Sequence, residues 1–151
     1  MFQFFARRLR SERGFTLIEL LIVVAIIAIL AAILIPNFLR ARAQSQVAAS
    51  KGNLKNVATA LESYFVDFAA YPSDINNLKP SYTRELPKDP CTGVAFGQTY
   101  GYSYTAIGTP ATDYVLRTNW QNGGTGDPCF DANGGFNIQY TPGGGLENTQ
   151  P

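Results

Sequence analysis

The side chains that could perform chemistry in this sequence are few and widely separated. There is no histidine, which removes the commonest general base and the commonest metal ligand. Glu85 and Asp89 form the best carboxylate pair for acid–base work, but we interpret them as charges on a solvated loop. The residues therefore favour a protein that is not an enzyme and uses no cofactor, with a single-pass anchored enzyme or binding domain as a remote alternative.

A glycine-rich loop near the C-terminus carries three oxygen ligands, Asp127, Asp131 and Asn133. Oxygen ligands at such spacing can hold calcium. Only a fragment of a recognised calcium loop is present, and polar glycine-rich loops are usually turns. We assign no metal and keep these three residues only as calcium candidates.

Cys91 and Cys129 are the two cysteines, and each follows an Asp-Pro pair, which favours a turn. In an exported chain a matched pair is typical of a disulfide, and two free buried thiols are the alternative. A bridge between them would close a loop of about 40 residues, which stabilises by roughly 4 kcal/mol in the chain-entropy model.

Glu19 is the only charge in an apolar run from Phe15 to Leu39. A helix needs about 20 apolar residues to cross a bilayer, so this run is long enough. A core helix that is apolar on all sides is unexpected in so small a protein, and a secretory signal has a shorter apolar region of about 7–15 residues. A charge in the membrane costs roughly 2.5–3.5 kcal/mol on insertion scales, so Glu19 needs a nearby cation or must snorkel to the interface.

The residues before the apolar run are basic. Residues 1–14 hold Arg7, Arg8, Arg10 and Arg13 against Glu12, whereas the rest of the chain is mildly acidic. Because basic flanks stay on the cytoplasmic side of a membrane, we expect the N-terminus to lie in the cytoplasm.

We predict one helix from about Phe15 to Ala70, ended by Tyr71-Pro72 because the residue before proline avoids the helical region. Pro36 should kink or locally melt it, and Gly52 weakens it by roughly 1 kcal/mol. Both are either tolerated irregularities or sources of flexibility for packing in a fibre. The second half of the helix has an apolar stripe at helical spacing, formed by Leu54, Val57, Ala58, Leu61, Tyr64, Phe65 and Phe68.

Three strands are predicted after the helix, at Tyr100–Ile107, Asp113–Trp120 and Phe136–Tyr140, with a turn at residues 108–110. Short connections favour an antiparallel meander, and the helical stripe is the obvious cover for its apolar face. Residues 141–151 are expected to be a frayed tail. The predicted fold class is α+β, a long N-terminal helix whose C-terminal half packs on a small antiparallel sheet.

The segment from Arg13 to Phe38, RGFTLIELLIVVAIIAILAAILIPNF, strongly resembles the N-terminal segment of type IV pilins and pseudopilins, the prepilins with a class III leader. The resemblance implies cleavage after Gly14 by a prepilin peptidase and methylation of the freed Phe15 amine, and it matches Glu19 to the acid that lies five residues into mature family members. Cleavage would also supply the cation that Glu19 needs, because the Phe15 amine can pair with Glu19 of a neighbouring subunit and set the axial register of assembly. The resemblance also implies melting of the helix at Pro36 in the fibre. An ordinary flexible junction is the alternative for Gly14, whose fit to a protease site depends on its missing side chain.

The expected organisation is a cleaved leader (1–14), a transmembrane and filament-core helix (15–39), an amphipathic continuation (40–71) and a disulfide-closed head (72–151). The family resemblance implies a type IV pilus subunit that polymerises into a helical filament for adhesion, twitching motility or DNA uptake. The expected partners are copies of itself, the prepilin peptidase, the assembly platform and minor pilins. The precursor would cross the bacterial inner membrane once, and the assembled fibre would lie outside the cell.

A major pseudopilin of a type II secretion system, in a periplasmic filament, is the alternative. The sequence around Tyr71-Pro72, Leu86–Pro90 and Tyr102–Tyr104 resembles that of major pseudopilins. Those proteins tend to lack the cysteine pair and to bind calcium in a late loop. Cys91 and Cys129 therefore favour a pilin.

Overall fold

The computed structural model describes residues 14–120 and 128–149. The chain divides into two compact units, one up to Phe38 and one from Leu39 onward. The elements in chain order are helix α1 (Leu17–Phe68), a 3₁₀ turn (Ile75–Leu78), strands β1 (Tyr102–Gly108) and β2 (Ala111–Thr118), helix α2 (Pro128–Ala132), and strands β3 (Asn137–Thr141) and β4 (Gly145–Thr149). This arrangement confirms the predicted α+β class.

The first unit consists of the apolar part of α1, and its side chains are exposed. The large apolar residues from Phe15 to Phe38 have exposed fractions between 46% and 77%. This part of α1 is long and apolar enough to cross a membrane, judged by length and composition. Within the described residues nothing covers this surface, which a soluble domain would bury.

Pro36 lies inside α1, which continues as a helix through both Pro36 and Gly52. The single chain therefore has no break at either residue. The loss of helical hydrogen bonds at Pro36 and Gly52 on assembly stays a prediction. Asn37 donates from its side-chain amide to the carbonyl of Ile33 over 3.1 Å, which adds a local bond in this turn.

In the second unit α1 buries one stripe against the sheet, and this stripe begins earlier than predicted. Phe68, placed in it by its spacing, is instead 59% exposed, and Tyr64 and Phe65 are only partly buried. Small residues extend the stripe toward the N-terminus, where their weak hydrophobicity gives little periodic signal. The buried positions are Ala43, Val47, Ser50, Leu54, Val57, Ala58, Ala60 and Leu61.

The C-terminal end of α1 is set by Ala69, whose φ of 55° is left-handed. Its amide donates to the carbonyl of Phe65 over 2.8 Å, as in a left-handed helix terminus. The helix therefore ends before Tyr71-Pro72, close to the predicted boundary.

The four strands form an antiparallel meander in the order β1-β2-β3-β4. The first three lie within two residues of their predicted bounds, and the predicted turn joins β1 to β2. Alternate side chains point to the core, where Tyr102, Tyr114, Leu116 and Ile138 are fully buried.

The expectation of a frayed tail at residues 141–151 is wrong for residues 145–149, because β4 pairs with β3 from Thr141↔Gly145 to Asn137↔Thr149. Gly145 has a φ of 71°, and the Gly144 amide donates to Thr141 Oγ1 over 3.0 Å. A glycine turn thus allows the hairpin, although the strand itself, GLENT, has few residues that favour β structure.

Candidate assembly site and the disulfide junction

The residues predicted to govern processing and assembly lie together at the start of α1. Gly14 and Phe15 precede the helix and are exposed. A Cβ placed on Gly14 would meet no atom of the described residues within 4 Å. Packing against these residues therefore does not require glycine at this position. Residues 1–13, the rest of the predicted leader, lie outside the described residues.

Thr16 and Glu19 form a capping box that the sequence analysis overlooked. Glu19 Oε2 accepts hydrogen bonds from the Thr16 amide at 2.9 Å and from the Thr16 hydroxyl at 2.6 Å. The Glu19 amide donates back to Thr16 Oγ1 over 3.3 Å. This reciprocal pattern satisfies amides at the helix start that have no intrahelical partner. The Thr-x-x-Glu spacing before an apolar run is its sequence signature.

The capping box leaves one carboxylate oxygen of Glu19 available. Oε2 is occupied by Thr16, whereas Oε1 accepts no hydrogen bond from any residue that the structure describes. The side chain is exposed. Glu19 can therefore cap its own helix and pair with a cation from another molecule at the same time.

Cys91 and Cys129 form a disulfide with a Cα–Cα distance of 6.0 Å, which confirms the predicted pairing. The bridge joins the loop before β1 to α2, and it spans a sequence separation of 38 that includes β1 and β2. Cys129 is 1% exposed, so the bond is part of the core.

The interpretation of Asp89 as a solvated loop charge is wrong, because Asp89 is completely buried. Its Oδ2 accepts from Trp120 Nε1 at 2.7 Å. Its Oδ1 accepts from Ser50 Oγ at 3.1 Å and from the amide of Cys91 at 2.9 Å. Glu85, its supposed partner, is exposed. The carboxylate therefore has a structural position beside the disulfide, and the described residues do not form the acid–base pair that was considered.

The loop that contains Asp89 is tied to α1 at a second point. Gln46 donates from its side-chain amide to the carbonyl of Pro90 over 2.8 Å. Together with Ser50, one turn further along the same helix face, it holds residues 89–91 against α1. We call the group Ser50, Asp89, Trp120 and the Cys91–Cys129 bond the disulfide junction.

Within residues 14–120 and 128–149, no group of three or more His, Cys, Asp or Glu side chains is placed to hold a metal ion. Asn133 uses its amide nitrogen as a donor to the Phe136 carbonyl at 2.9 Å and to Asn148 Oδ1 at 3.2 Å. Asp131 is exposed, and Asp127 lies outside the described residues.

A second polar cluster, also not predicted, surrounds Glu62 on α1. Its carboxylate accepts from the Tyr71 hydroxyl at 3.0 and 3.1 Å and from the Tyr114 hydroxyl at 3.2 Å. Burial, followed by the hydrogen bond to Glu62, raises the pKa of Tyr71 to about 12. Burial and the negative charge of Glu62 also raise the pKa of Tyr114. The cluster ties the end of α1 to the sheet.

The comparisons with known proteins agree with this architecture. Residues 9–35 match the prokaryotic N-terminal methylation motif. Type II secretion system core protein G of Pseudomonas aeruginosa is 33% identical over an alignment of 133 positions, which covers 77% of this chain and 90% of that protein. The type IV major pilin protein PilA of Myxococcus xanthus is 44% identical over 95 residues, 63% of this chain and 38% of that protein.

The type IV wide pilus major component PilA4 of Thermus thermophilus is 48% identical over 66 residues, 44% of this chain and 50% of that protein. This chain thus spans half or less of the two pilins. The chain belongs to the type IV pilin and pseudopilin family. That family consists of structural subunits that assemble into filaments with other components, from membrane-anchored precursors.

Proposed function

We propose that this chain is the precursor of a structural subunit of a type IV pilus, cleaved after Gly14, N-methylated at Phe15 and polymerised into a helical filament. The observation that carries this proposal is the exposed apolar surface formed by Phe15 and by α1 from Leu17 to Phe38. Such a surface needs lipid or other apolar helices around it. Lipid would cover it in the precursor, and α1 of neighbouring subunits would cover it in the filament.

The environment of Gly14 supports cleavage at this position. Because a Cβ on Gly14 would meet no atom of residues 14–120 or 128–149 within 4 Å, packing among these residues gives no reason for glycine here. A protease that must approach the backbone closely would give one. The motif match over residues 9–35 includes both Gly14 and Phe15.

Glu19 supports an electrostatic step in assembly. Cleavage would create a positive amine on Phe15, and Glu19 Oε1 has no donor among the described residues. Pairing of the two charges between neighbouring subunits would reduce the cost of holding a carboxylate in an apolar environment. The pairing would also set the axial register of the subunits.

The remaining organisation follows as part of the same proposal. Residues 1–14 are the leader, 15–39 cross the inner membrane with the N-terminus in the cytoplasm, 40–71 continue the helix, and 72–151 form the head. The partners are the prepilin peptidase, the assembly platform, minor pilins and copies of the chain. Pro36 and Gly52 are the positions where α1 would lose helical hydrogen bonds in the fibre.

A pseudopilin of a type II secretion system is the second candidate, supported by the long match to core protein G. The pilus is favoured by two observations. The identity to the two pilins is higher, at 44% and 48%, and the head is closed by the Cys91–Cys129 disulfide. The pilins are matched over shorter stretches, so the choice between the two filaments needs an experiment.

The experiment is the intact mass of the protein in fibres sheared from the cell surface, compared with its mass in the membrane fraction. The expected species begins at Phe15, and its mass differs from that of the unmodified, reduced chain from Phe15 by one added methylene and two lost hydrogens. Such a species would support cleavage, methylation and disulfide formation together. Its presence in the sheared fraction supports a pilus, and its restriction to the membrane fraction supports a pseudopilin. A full-length chain in both fractions contradicts the proposal.

A further inference from the structure

An open cleft of about 710 Å³ lies at the C-terminal end of α1. Its walls are the last turns of the helix, the segment that follows it, and the hairpin of β1 and β2. The size falls within the range of about 300–1,000 Å³ that is usual for small-molecule sites. Neither the proposed processing nor the proposed assembly through residues 15–38 uses this cleft.

The cleft is held open by two hydrogen bonds that connect its walls. The amide of Tyr71 donates to the carbonyl of Ala111 over 2.8 Å, and the hydroxyl of Tyr104 donates to the carbonyl of Pro72 over 2.6 Å. Both bonds join the segment after α1 to the β1–β2 hairpin. The shape of the cleft is therefore fixed in the folded subunit, as a preformed binding site requires.

One wall of the cleft offers aromatic surface. Tyr64 and Phe68 lie one turn apart on α1 with ring centroids 4.4 Å apart and an interplanar angle of 31°. Phe68 is 59% exposed, so it lies at the cleft and not in the predicted buried stripe. An exposed ring at the edge of a fixed cleft can stack against the apolar face of a ligand.

The rest of the lining supplies hydrogen-bonding groups without charge. Ser73, Asn77 and Thr105 are exposed at the cleft, and their side chains both donate and accept hydrogen bonds. None of the described residues that line the cleft is ionisable at neutral pH. Two acids on α1 near the cleft accept hydrogen bonds within the chain, Asp67 from the Tyr82 hydroxyl and Glu62 from the hydroxyl of the lining residue Tyr71.

We propose that this cleft binds a neutral saccharide. A pyranose ring has an apolar face of C–H groups that fits the aromatic wall and hydroxyls that match Ser73, Asn77 and Thr105. A charged ligand would find no counter-ion among the described lining residues, and a purely apolar ligand would leave those polar groups without partners. The site is independent of whether the filament is a pilus or a secretion filament.

The test is saturation-transfer NMR on the full chain in phosphocholine micelles, which contain no sugar that could compete. The probes are the methyl glycosides of glucose, galactose and N-acetylglucosamine, with N-acetylneuraminic acid as the charged comparison. The variants are Phe68→Ala and Asn77→Ala. Val66→Ala is the matched control, because Val66 is 81% exposed on the same helix and does not line the cleft.

We expect saturation transfer from the protein to the ring protons of at least one neutral glycoside. Binding of that glycoside should weaken roughly tenfold in Phe68→Ala, which is the magnitude of one lost aromatic contact. Asn77→Ala should also weaken it, and Val66→Ala should leave it unchanged. The proposal is overturned by absence of transfer from every neutral glycoside, by equal transfer in wild type and Phe68→Ala, or by preference for the charged sugar. Self-association that depends on Phe68, without sugar binding, would show a second copy of the chain as the occupant instead.

Discussion

Trp120 donates the hydrogen of its indole nitrogen to the buried carboxylate of Asp89 over 2.7 Å. Both residues are completely inaccessible to solvent, as is Ser50, which donates to the same carboxylate from α1. A buried carboxylate is costly unless hydrogen bonds compensate it. The disulfide junction thus links α1, the loop before β1 and the segment after β2 through one polar group.

Trp120→Phe should destabilise the head, because it removes the indole donor and keeps an aromatic ring. We expect a loss of about 1.5–3 kcal/mol in the free energy of unfolding, the usual net contribution of one hydrogen bond to a charged group. Urea titration of the full chain in micelles, followed by circular dichroism, measures this loss. Tyr100→Phe, at a 41% exposed site, is the control and should change stability by less than about 0.5 kcal/mol. Equal stabilities of the two variants would contradict a structural role for the indole hydrogen bond.

Removal of the disulfide should have a larger effect than loss of the indole bond. The bridge spans a separation of 38, and the chain-entropy model gives roughly 4 kcal/mol for a loop of this length. Cys91→Ala, Cys129→Ala and the double variant should lose similar amounts, since each removes the same covalent link. Reductant should shift the urea midpoint of the wild type and leave the double variant unchanged. A double variant as stable as the oxidised wild type would disprove the contribution of the bridge.

The main elements could be predicted because their signals are local. The apolar run from Phe15 to Leu39 and the alternating residues of β1 and β2 each identify their element within a short window. The disulfide was predictable from composition, since only Cys91 and Cys129 are available. The capping box of Thr16 and Glu19 was equally predictable, because the Thr-x-x-Glu spacing before an apolar run is its sequence signature.

The disulfide junction could not be predicted because its partners are distant in sequence. Asp89 lies 39 residues after Ser50 and 31 before Trp120, and no local pattern distinguishes it from the exposed Glu85. The exposure of Phe68 also depends on tertiary structure, since its helical spacing alone places it with Leu61 and Phe65. In both cases the packing of α1 on the hairpin decides which side chains are buried.

Glu19 has two roles that a pair of variants can separate. Glu19→Gln keeps the capping box, because glutamine is an accepted partner at this position, but it removes the negative charge. Thr16→Ala keeps the charge and removes the cap, at a cost of about 0.5–2 kcal/mol to the helix start. If assembly depends on the charge, Glu19→Gln should be cleaved normally and yield few sheared filaments, whereas Thr16→Ala should yield many. Normal filament yield from Glu19→Gln would refute the proposed charge pairing.

Gly14→Ile should remain at the mass of the precursor, because a branched side chain prevents close approach of a protease to the backbone. The part of the chain that the structure describes gives no steric reason for a defect, since none of its atoms lies within 4 Å of a Cβ at this position. The intact mass in the membrane fraction reports the result. Gly52→Ala is the control, because Gly52 also has space for a Cβ and alanine favours the helix by up to about 1 kcal/mol. A Gly14→Ile chain that begins at Phe15 would exclude Gly14 as the recognition residue.

The cluster around Glu62 should make the head sensitive to alkaline pH. The pKa of Tyr71 is raised from 10.0 to about 12, first by burial and then by its hydrogen bond to Glu62. Because the folded pKa exceeds the unfolded one, the neutral phenol contributes stability that is complete below pH 10 and is lost as the pH rises toward 12. Urea midpoints measured across this interval should therefore fall.

Glu62→Gln provides the test of the electrostatic part of this effect. It removes the negative charge beside Tyr71 and Tyr114, so tyrosinate absorbance in the folded head should appear at lower pH than in the wild type. The pKa of Tyr71 should stay above 10.0, because burial is the larger cause of the shift. Glu85→Gln, which changes an exposed acid far along the chain from this cluster, should leave the titration unchanged. If both variants titrate like the wild type, the charge of Glu62 does not contribute, and burial alone holds the phenol in its neutral form.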